Sequence, residues 1–502
     1  MIELLLTGFS NIFSVECGVL IIIGVVIGVI FGAIPGLSAN MAVALFLPFT
    51  FTMEPIPAMT LLVSLYIGGI SGGLVAAILI NIPGTPASVA TCFDGNPMAR
   101  KGQAGLALDI SVISSFIGGL ISFVILIFIS PLVARVALKF GSFEYAAIGI
   151  FSLSLISSLV GKSVIKGLIG CFIGLILASV GVSPVGSQFR FTFGFHALDN
   201  GFNVLTLLIG LFAVSEVIKT AENKYLLSNL EVRTYEDTKT IDAFKIVLSQ
   251  KTNLIRSALI GTGIGILPGL GGSTANLVAY AAAKTSSNEP DKFGTGIPDG
   301  IIASETSNNA TIGGALVPLL TMGIPGDTVT ALLLGGLMMH GITPGPLLFT
   351  TDGDLVYGIF AALLLGNVVM AFVMLKGMKH FSKVLKIKKH ILLPIVMTLC
   401  LVGSFGLNNR IFDMWCVLFF GIMGYFLEKI EIPNAPIIMG FILGPIIELN
   451  LQRGMMASDG SLLPLITRPV AAIFILIGVL TIILTFYRNA NRGRTNTENS
   501  NC

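Results

Sequence analysis

Nine long apolar runs limit what this chain can fold into: residues 14 to 34, 104 to 130, 143 to 160, 164 to 182, 202 to 218, 355 to 375, 391 to 407, 411 to 427 and 466 to 487. A helix needs about 20 apolar residues to cross ~30 Å of hydrocarbon, and each run approaches or exceeds that length. Runs this long are not period-2 alternation, which excludes an outer-membrane barrel. With 54% hydrophobic and only 11% charged residues among 502, the chain is too apolar for soluble domains that bury one stripe per helix. The expected class is an all-α, polytopic integral membrane protein of about ten to twelve transmembrane helices, some of them broken.

Charge fixes an orientation. Six lysines crowd "KGMKHFSKVLKIKK", from Lys376 to Lys389, and Arg488, Arg492 and Arg494 follow the last apolar run. Cationic segments beside membrane spans stay in the cytoplasm, and attraction to anionic lipid favours the same side. The clusters form no continuous basic face, so no nucleic-acid partner is expected. The start, "MIELLLTGFS", lacks a basic n-region and a cleavage site and is not read as a cleaved signal peptide. Six scattered cysteines and four histidines show neither a CxxC pair nor ligand spacing, so no disulfide framework or structural metal site is expected.

The longest hydrophilic stretch, near residues 220 to 252, falls in the middle of the chain, which prompts a test for duplication. "GVIFGAIPGL" (28 to 37) matches "GTGIGILPGL" (261 to 270) at Gly28, Gly32, Pro35, Gly36 and Leu37, each 233 residues before its counterpart. "SGGLVAAILINIPGTP" (71 to 86) matches "GGALVPLLTMGIPGDT" (313 to 328), with Pro83 and Gly84 lying 242 residues before Pro325 and Gly326. Two motifs recurring in the same order indicate two repeats, expected to be inverted. The first spans residues 1 to 219 with breaks near 35 and 83. A cytoplasmic linker follows at 220 to 252, then a second repeat at 253 to 487 with breaks near 268 and 325, and a polar tail at 488 to 502.

Proline removes a backbone donor and crowds the preceding turn, while glycine allows φ > 0, so helices reaching these motifs should stop inside the membrane. Irregular backbone at that depth is tolerated only around protein or a water-filled cavity. Breaks at matching places in two repeats point to a transporter binding site near the midplane. Half-helix N-termini suit an anion, and carbonyl ends suit a hard cation. The candidate solute-binding residues are Gly36, Ser38 and Asn40 in the first break and Asn81, Gly84 and Thr85 in the second. In the other half they are Gly269, Gly271, Gly272, Ser273, Thr274 and Asn276, then Gly326, Asp327 and Thr328.

The polar run "SETSNNAT" (304 to 311) adds Ser307 and Asn308, and its Glu305 is an intramembrane carboxylate if the run lies at depth rather than at a hairpin tip. Glu305, Asp327, Asn309 and Thr330 are the candidates for coupling to a sodium ion or a proton. Kinks relieved by Ser and Thr capping are the plainer reading of any single motif. The glycines at 24, 28 and 32, and at 170 and 174, are expected to serve close helix packing. "CFDGNPMARKGQAGLAL" (92 to 108), with Asp94, Arg100 and Lys101, is expected to be a loop, either plainly solvated or contacting a partner or solute.

Rival chemistry is thin. "GISGG" (69 to 73) fits a serine-nucleophile motif at Ser71, yet the histidines lie in unpromising places for a base. "VGKSV" (160 to 164) ends like a nucleotide-binding loop but has Ile156 where glycine is required. An intramembrane serine protease or a non-transporting membrane scaffold remain the alternatives to a transporter, and no cofactor beyond a coupling ion is expected.

"GAIPGLSANMAVALFLPFTF", "INIPGTPASVATCFDGNPMARKGQAGLAL", "GILPGLGGSTANLVAYAAAK", "GIPDGIIASETSNNATIGGALVPLLTMGIPGDTVTALLLGG" and "GITPGPLLF" resemble the large membrane subunit of the tripartite tricarboxylate transporters, the TctA family. The likeness runs from about residue 15 to 485. It implies a multi-pass permease of a bacterial or archaeal inner membrane that takes up citrate-like or other carboxylates by a secondary mechanism, so not an enzyme. It also implies two partners, a small membrane subunit and an extracytoplasmic solute-binding protein. Related carriers suggest an elevator-like architecture, in which a domain holding the breaks moves against a scaffold.

Overall fold

The computed structural model describes residues 2–159, 163–222, 238–385 and 389–499. It is all-helical apart from a short hairpin pairing Gly181–Val182 with Phe189–Arg190. Among the described residues, eight helices are long and apolar enough to cross a membrane, and five shorter apolar helices accompany them. Many large apolar side chains face outward, among them Phe128, Leu132, Phe172, Ile176, Phe372, Trp415 and Leu484. A surface of this kind is stable only against lipid or another membrane protein, and the chain is a multi-pass membrane protein.

Ten helices carry the motifs. In the first half these are α1 (Val15–Ala33), α2 (Ala39–Phe46), α3 (Pro55–Ile80), α4 (Val89–Met98) and α5 (Ala104–Ala137). In the second half they are α6 (Lys251–Ile266), α7 (Gly271–Thr285), α8 (Pro298–Met322), α9 (Thr328–Met339) and α10 (Gly353–Val384). All four motif helices stop where the sequence places a break. α1 and α6 leave through Ile34 (φ −86, ψ 115) and Leu267 (φ −81, ψ 122), both extended. A residue before proline is pushed out of the helical region, and Pro35 and Pro268 come next. Gly36 (φ 92) and Gly269 (φ 82) then turn the chain at angles that side chains resist.

The second motif works differently from the first. There the positive φ belongs to the residue ending the helix, Asn81 (φ 57) after α3 and Gly323 (φ 71) after α8. The glycine after proline instead permits contact: a β-carbon on Gly84 would run into the Gly32 carbonyl, and one on Gly326 into the Gly265 carbonyl. The same offsets recur across the helix pairs. Gly28 abuts Leu65 as Gly261 abuts Ser307, Gly32 abuts Gly69 as Gly265 abuts Thr311, and Gly72 abuts Val29 as Gly314 abuts Thr262, each through a backbone carbonyl. The glycine rows thus serve close packing, as do Gly170 and Gly174 against Pro436 and Ile437.

Packing between the halves is reciprocal. α1 packs on α3, and both meet α10 from the other half; α6 packs on α8, and both meet α5. The short helices cross over as well, α2 against α9 and α7 against α4. Outside this core, Ser142–Leu159 and Val164–Ala178 pack with Asn434–Ala457, and Pro469–Asn499 packs on Ser142–Leu159. The last helix carries helical backbone into the stretch set aside as a polar tail. Within the expected linker, 223–237 lie outside the described residues, while Thr240–Ser249 is a helix packed on α5. The "VGKSV" segment lies largely outside them as well.

Candidate functional site

The four breaks meet, and they meet crosswise. Asn40, at the start of α2, accepts a 3.0 Å hydrogen bond at Oδ1 from the Thr328 hydroxyl at the start of α9. Asn276 on α7 donates through Nδ2 to the carbonyl of Ala87, just ahead of α4. Each first break is therefore stitched to the second break of the opposite half. Within the second half, the Gly269 N–H donates to the Gly326 carbonyl at 2.7 Å. Pro35, Pro268 and Pro325 are buried and Pro83 is half-buried, so none of the four prolines is fully exposed on the outer surface.

The starts after the second breaks align in sequence but are closed differently. Asp327 caps α9: its Oδ1 accepts from the Thr330 N–H and hydroxyl at 2.8 Å each, and the Thr330 hydroxyl oxygen accepts from the Asp327 N–H at 2.8 Å. This capping box satisfies backbone donors that a helix start leaves free. Tyr66, fully buried on α3, donates to Asp327 Oδ2. Thr85 and Ser88 occupy the matching places before α4, with hydroxyls 3.2 Å apart.

The polar run 304 to 311 lies in the middle of α8 and is buried throughout, so it is no hairpin tip. Glu305 is fully buried; Oε1 accepts from the Thr91 hydroxyl at 2.5 Å and Oε2 from the Ser115 hydroxyl at 2.9 Å. No cation pairs with it among the described residues, an arrangement that burial makes costly unless function retains it. Asn309 Oδ1 accepts from Ser71 at 2.8 Å. Buried atoms without a partner cluster on these segments: both amide atoms of Asn308, Asn309 Nδ2, Asn276 Oδ1 and Thr306 Oγ1. Buried polar groups are nearly always hydrogen-bonded, so this cluster is suited to hold water, an ion or a solute.

Some candidates play local roles. Ser38 caps α2, accepting from the Met41 N–H at 3.2 Å; Ser307 returns its proton to the Ser304 carbonyl at 3.0 Å. The Gly36 carbonyl accepts from Thr220 at 3.0 Å. Gly271 lies beside Asp327, whereas Ser273 and Thr274 are half-buried and Asn81 is exposed. The expected loop at 92 to 108 is instead helical at both ends, in α4 and α5, with a kink at Gly102 (φ 78) between them, and Asp94 is neither solvated nor free. Its Oδ1 accepts from the N–H groups of Gly294, Gly296 and Ile297 at 2.8 to 3.1 Å, and its Oδ2 from the Tyr280 hydroxyl at 2.8 Å. Asp94 thereby ties α4 to the turn ahead of α8. Ser71 donates to an amide oxygen, which cannot serve as a proton-accepting base.

Tyr66, Thr91 and Ser115 did not stand out in the sequence. Extending the second match backward would have marked Tyr66, which aligns with Asn308 at the same offset of 242. A cavity of ≈ 980 Å³ reaches Met322 and Gly323 at the end of α8. Asn200, Asn203, Asn408 and Asn450 line it, and no charged residue does.

The family model for the "Tripartite tricarboxylate transporter TctA family" matches residues 19–439, which include all four breaks. The chain belongs to the TctA family. An Agrobacterium vitis protein described as "Uncharacterized 52.8 kDa protein in TAR-I ttuC' 3'region" is 34% identical over 487 residues, 96% of each chain. A second from the same organism, "Uncharacterized protein in TAR-II ttuC' 3'region", is 35% identical over 224 residues, 45% of this chain and 93% of its own. No solved structure matches. Family membership makes this TctA-family chain a component of a tripartite transporter, one that works with partner subunits.

Proposed function

We propose that this chain is the translocating subunit of a secondary transporter that imports tricarboxylates or related carboxylates across a bacterial or archaeal inner membrane. A cation gradient drives it, and an extracytoplasmic solute-binding protein supplies the solute, with the small membrane subunit as the third component. The observation that carries this reading is the pair of crosswise seams, Asn40 to Thr328 and Asn276 to Ala87. Broken helices that converge from two halves give a polar solute backbone groups at membrane depth and two ways to release it. Glu305 and Asp327, with Asn309 and Thr330, are the groups we assign to the coupling ion, sodium or proton.

Orientation follows from the lysine-rich end of α10, placed in the cytoplasm. The other end, Gly353–Leu355, shares a cavity with Ser14 and Glu54–Pro57, so α1 and α3 begin outside. Gly323, at the end of α8, lies near Pro344 on that outer level, which puts Pro298 and the adjoining Lys251 inside. The halves are then inverted, and the 980 Å³ cavity is an outer vestibule. The outer helices act as a scaffold for an elevator-like movement of the core.

Uptake of labelled di- and tricarboxylates by proteoliposomes holding all three components, with and without a sodium or proton gradient, tests the reading. Gradient-dependent uptake that survives Ser71→Ala but is lost in Asp327→Ala or Asn276→Ala, with membrane insertion intact, is expected. Absence of uptake of any carboxylate would leave the scaffold reading, and peptide cleavage abolished by Ser71→Ala would establish the protease.

A further inference from the structure

The two second breaks match residue for residue, yet only one is closed by a charge. Before α9, Asp327 supplies a carboxylate of its own to the Thr330 N–H and hydroxyl, and Tyr66 donates to its other oxygen. The positive end of that helix already holds its anion, so a second carboxylate would meet like charge and find these donors used. In the first half Thr85 stands ahead of the short turn Pro86–Ser88 that leads into α4, and its neutral hydroxyl makes no cap bond and lies 3.2 Å from that of Ser88.

Two buried amides from the other half face that neutral start. Asn276 holds the Ala87 carbonyl and keeps Oδ1 unpartnered; Asn308, 1% exposed, has no partner at either amide atom. A methyl group on Gly272 would meet Asn308 Oδ1 at 2.5 Å and Ala87 Cβ at 3.1 Å, so this amide and the first turn share one small space. Asn308 also adjoins Glu305, whose oxygens are held by Thr91 and Ser115. Tyr66 stands 242 residues before Asn308. Tyr66 with Asp327 is therefore a built-in version of a complex that Asn308 with Thr85 has yet to make, and the missing part is a carboxylate.

We propose that a carboxylate group of the solute binds in the first-half break, between Thr85–Ser88, Asn308 and Asn276, and that the Asp327 break takes no anion. Pro86 has no N–H and the Ser88 N–H is held by the Thr85 carbonyl at 3.0 Å, so the Ala87 N–H, the two hydroxyls and the Asn308 amide are its donors. Asn276 Oδ1 accepts from a solute hydroxyl or a bridging water. This rests on the transport reading and narrows it, since it separates the anion site from the break that carries its own carboxylate.

The test is equilibrium binding of succinate, malate and citrate to the purified full-length chain in nanodiscs, by calorimetry, for the wild type and for Thr85→Asp, Thr85→Ser and Asn308→Ala. Thr85→Asp installs a competing cap and should abolish binding, whereas Thr85→Ser, which keeps a neutral hydroxyl, should retain it. Asn308→Ala should weaken binding by about tenfold, the scale of one lost buried hydrogen bond, and decides the matter if Thr85→Asp does not elute as a folded protein. Binding that survives both Thr85→Asp and Asn308→Ala overturns the assignment. A wild-type chain that binds none of the three acids overturns the transport reading and the assignment with it.

Discussion

At each first break a single proline sets the conformation on both sides of itself. Ile34 and Leu267 are extended because a proline follows, and the turn is completed by Gly36 and Gly269 at φ values of 92 and 82. Gly36→Ala should cost about 1–3 kcal/mol, the usual scale for a side chain held at such an angle. Gly269→Ala should cost more, because its β-carbon would also meet Ile156. Thermal unfolding in detergent, followed by gel filtration, reads both, and equal unchanged melting temperatures would contradict the strain argument. Tyr66→Phe removes a donor from a buried carboxylate, worth roughly 1.5–3 kcal/mol for a hydrogen bond to a charged group. The same assay should show it less stable than wild type, since Asp327 would keep its cap but lose the tyrosine.

At the scale of elements, the ends of helices were legible and the middles were not. Proline acts on the residue before it, so the stops of α1 and α6 could be read locally, and so could the two-fold recurrence of the motifs; α3 and α8 stop two residues ahead of their prolines, at Asn81 and Gly323. The depth of Glu305 could not, because its partners Thr91 and Ser115 come from α4 and α5, far along the chain. Asp94 was missed for the same reason: a charged residue beside Arg100 and Lys101 reads as solvated until the turn at 294 to 297 is folded over it. The role of Gly84 and Gly326 was half legible, since the sequence shows glycine but not whether it serves torsion or contact. Contact is the answer, and it is testable. Gly84→Ala and Gly326→Ala should each cost about 1–3 kcal/mol through overpacking, whereas Gly18→Ala and Gly263→Ala, which meet no neighbouring atom within 4 Å, should be tolerated. The yield of monodisperse protein distinguishes the two pairs, and equal yields would contradict close packing.

At the scale of the whole molecule, the halves meet at their interruptions, and the proposed sidedness rests on the lysine-rich end of α10. A cysteine replacing Met338 or Leu347, both exposed and lining the 980 Å³ cavity, should react with a membrane-impermeant thiol reagent added outside intact cells. One replacing Ser249 or Lys251, at the start of α6, should react only after the membrane is opened. The reverse pattern would invert the proposed orientation without touching the fold. The convergence of the breaks is tested most directly by oxidative cross-linking in native membranes, with Asn40→Cys and Thr328→Cys combined in a chain freed of its own cysteines. Their side chains lie within hydrogen-bonding distance, 3.0 Å, so a disulfide between the two halves should form rapidly and nearly completely, while Asn81→Cys with Thr328→Cys should not react. Failure of the first pair to cross-link in a folded, membrane-inserted protein would mean that the two halves do not meet at their breaks.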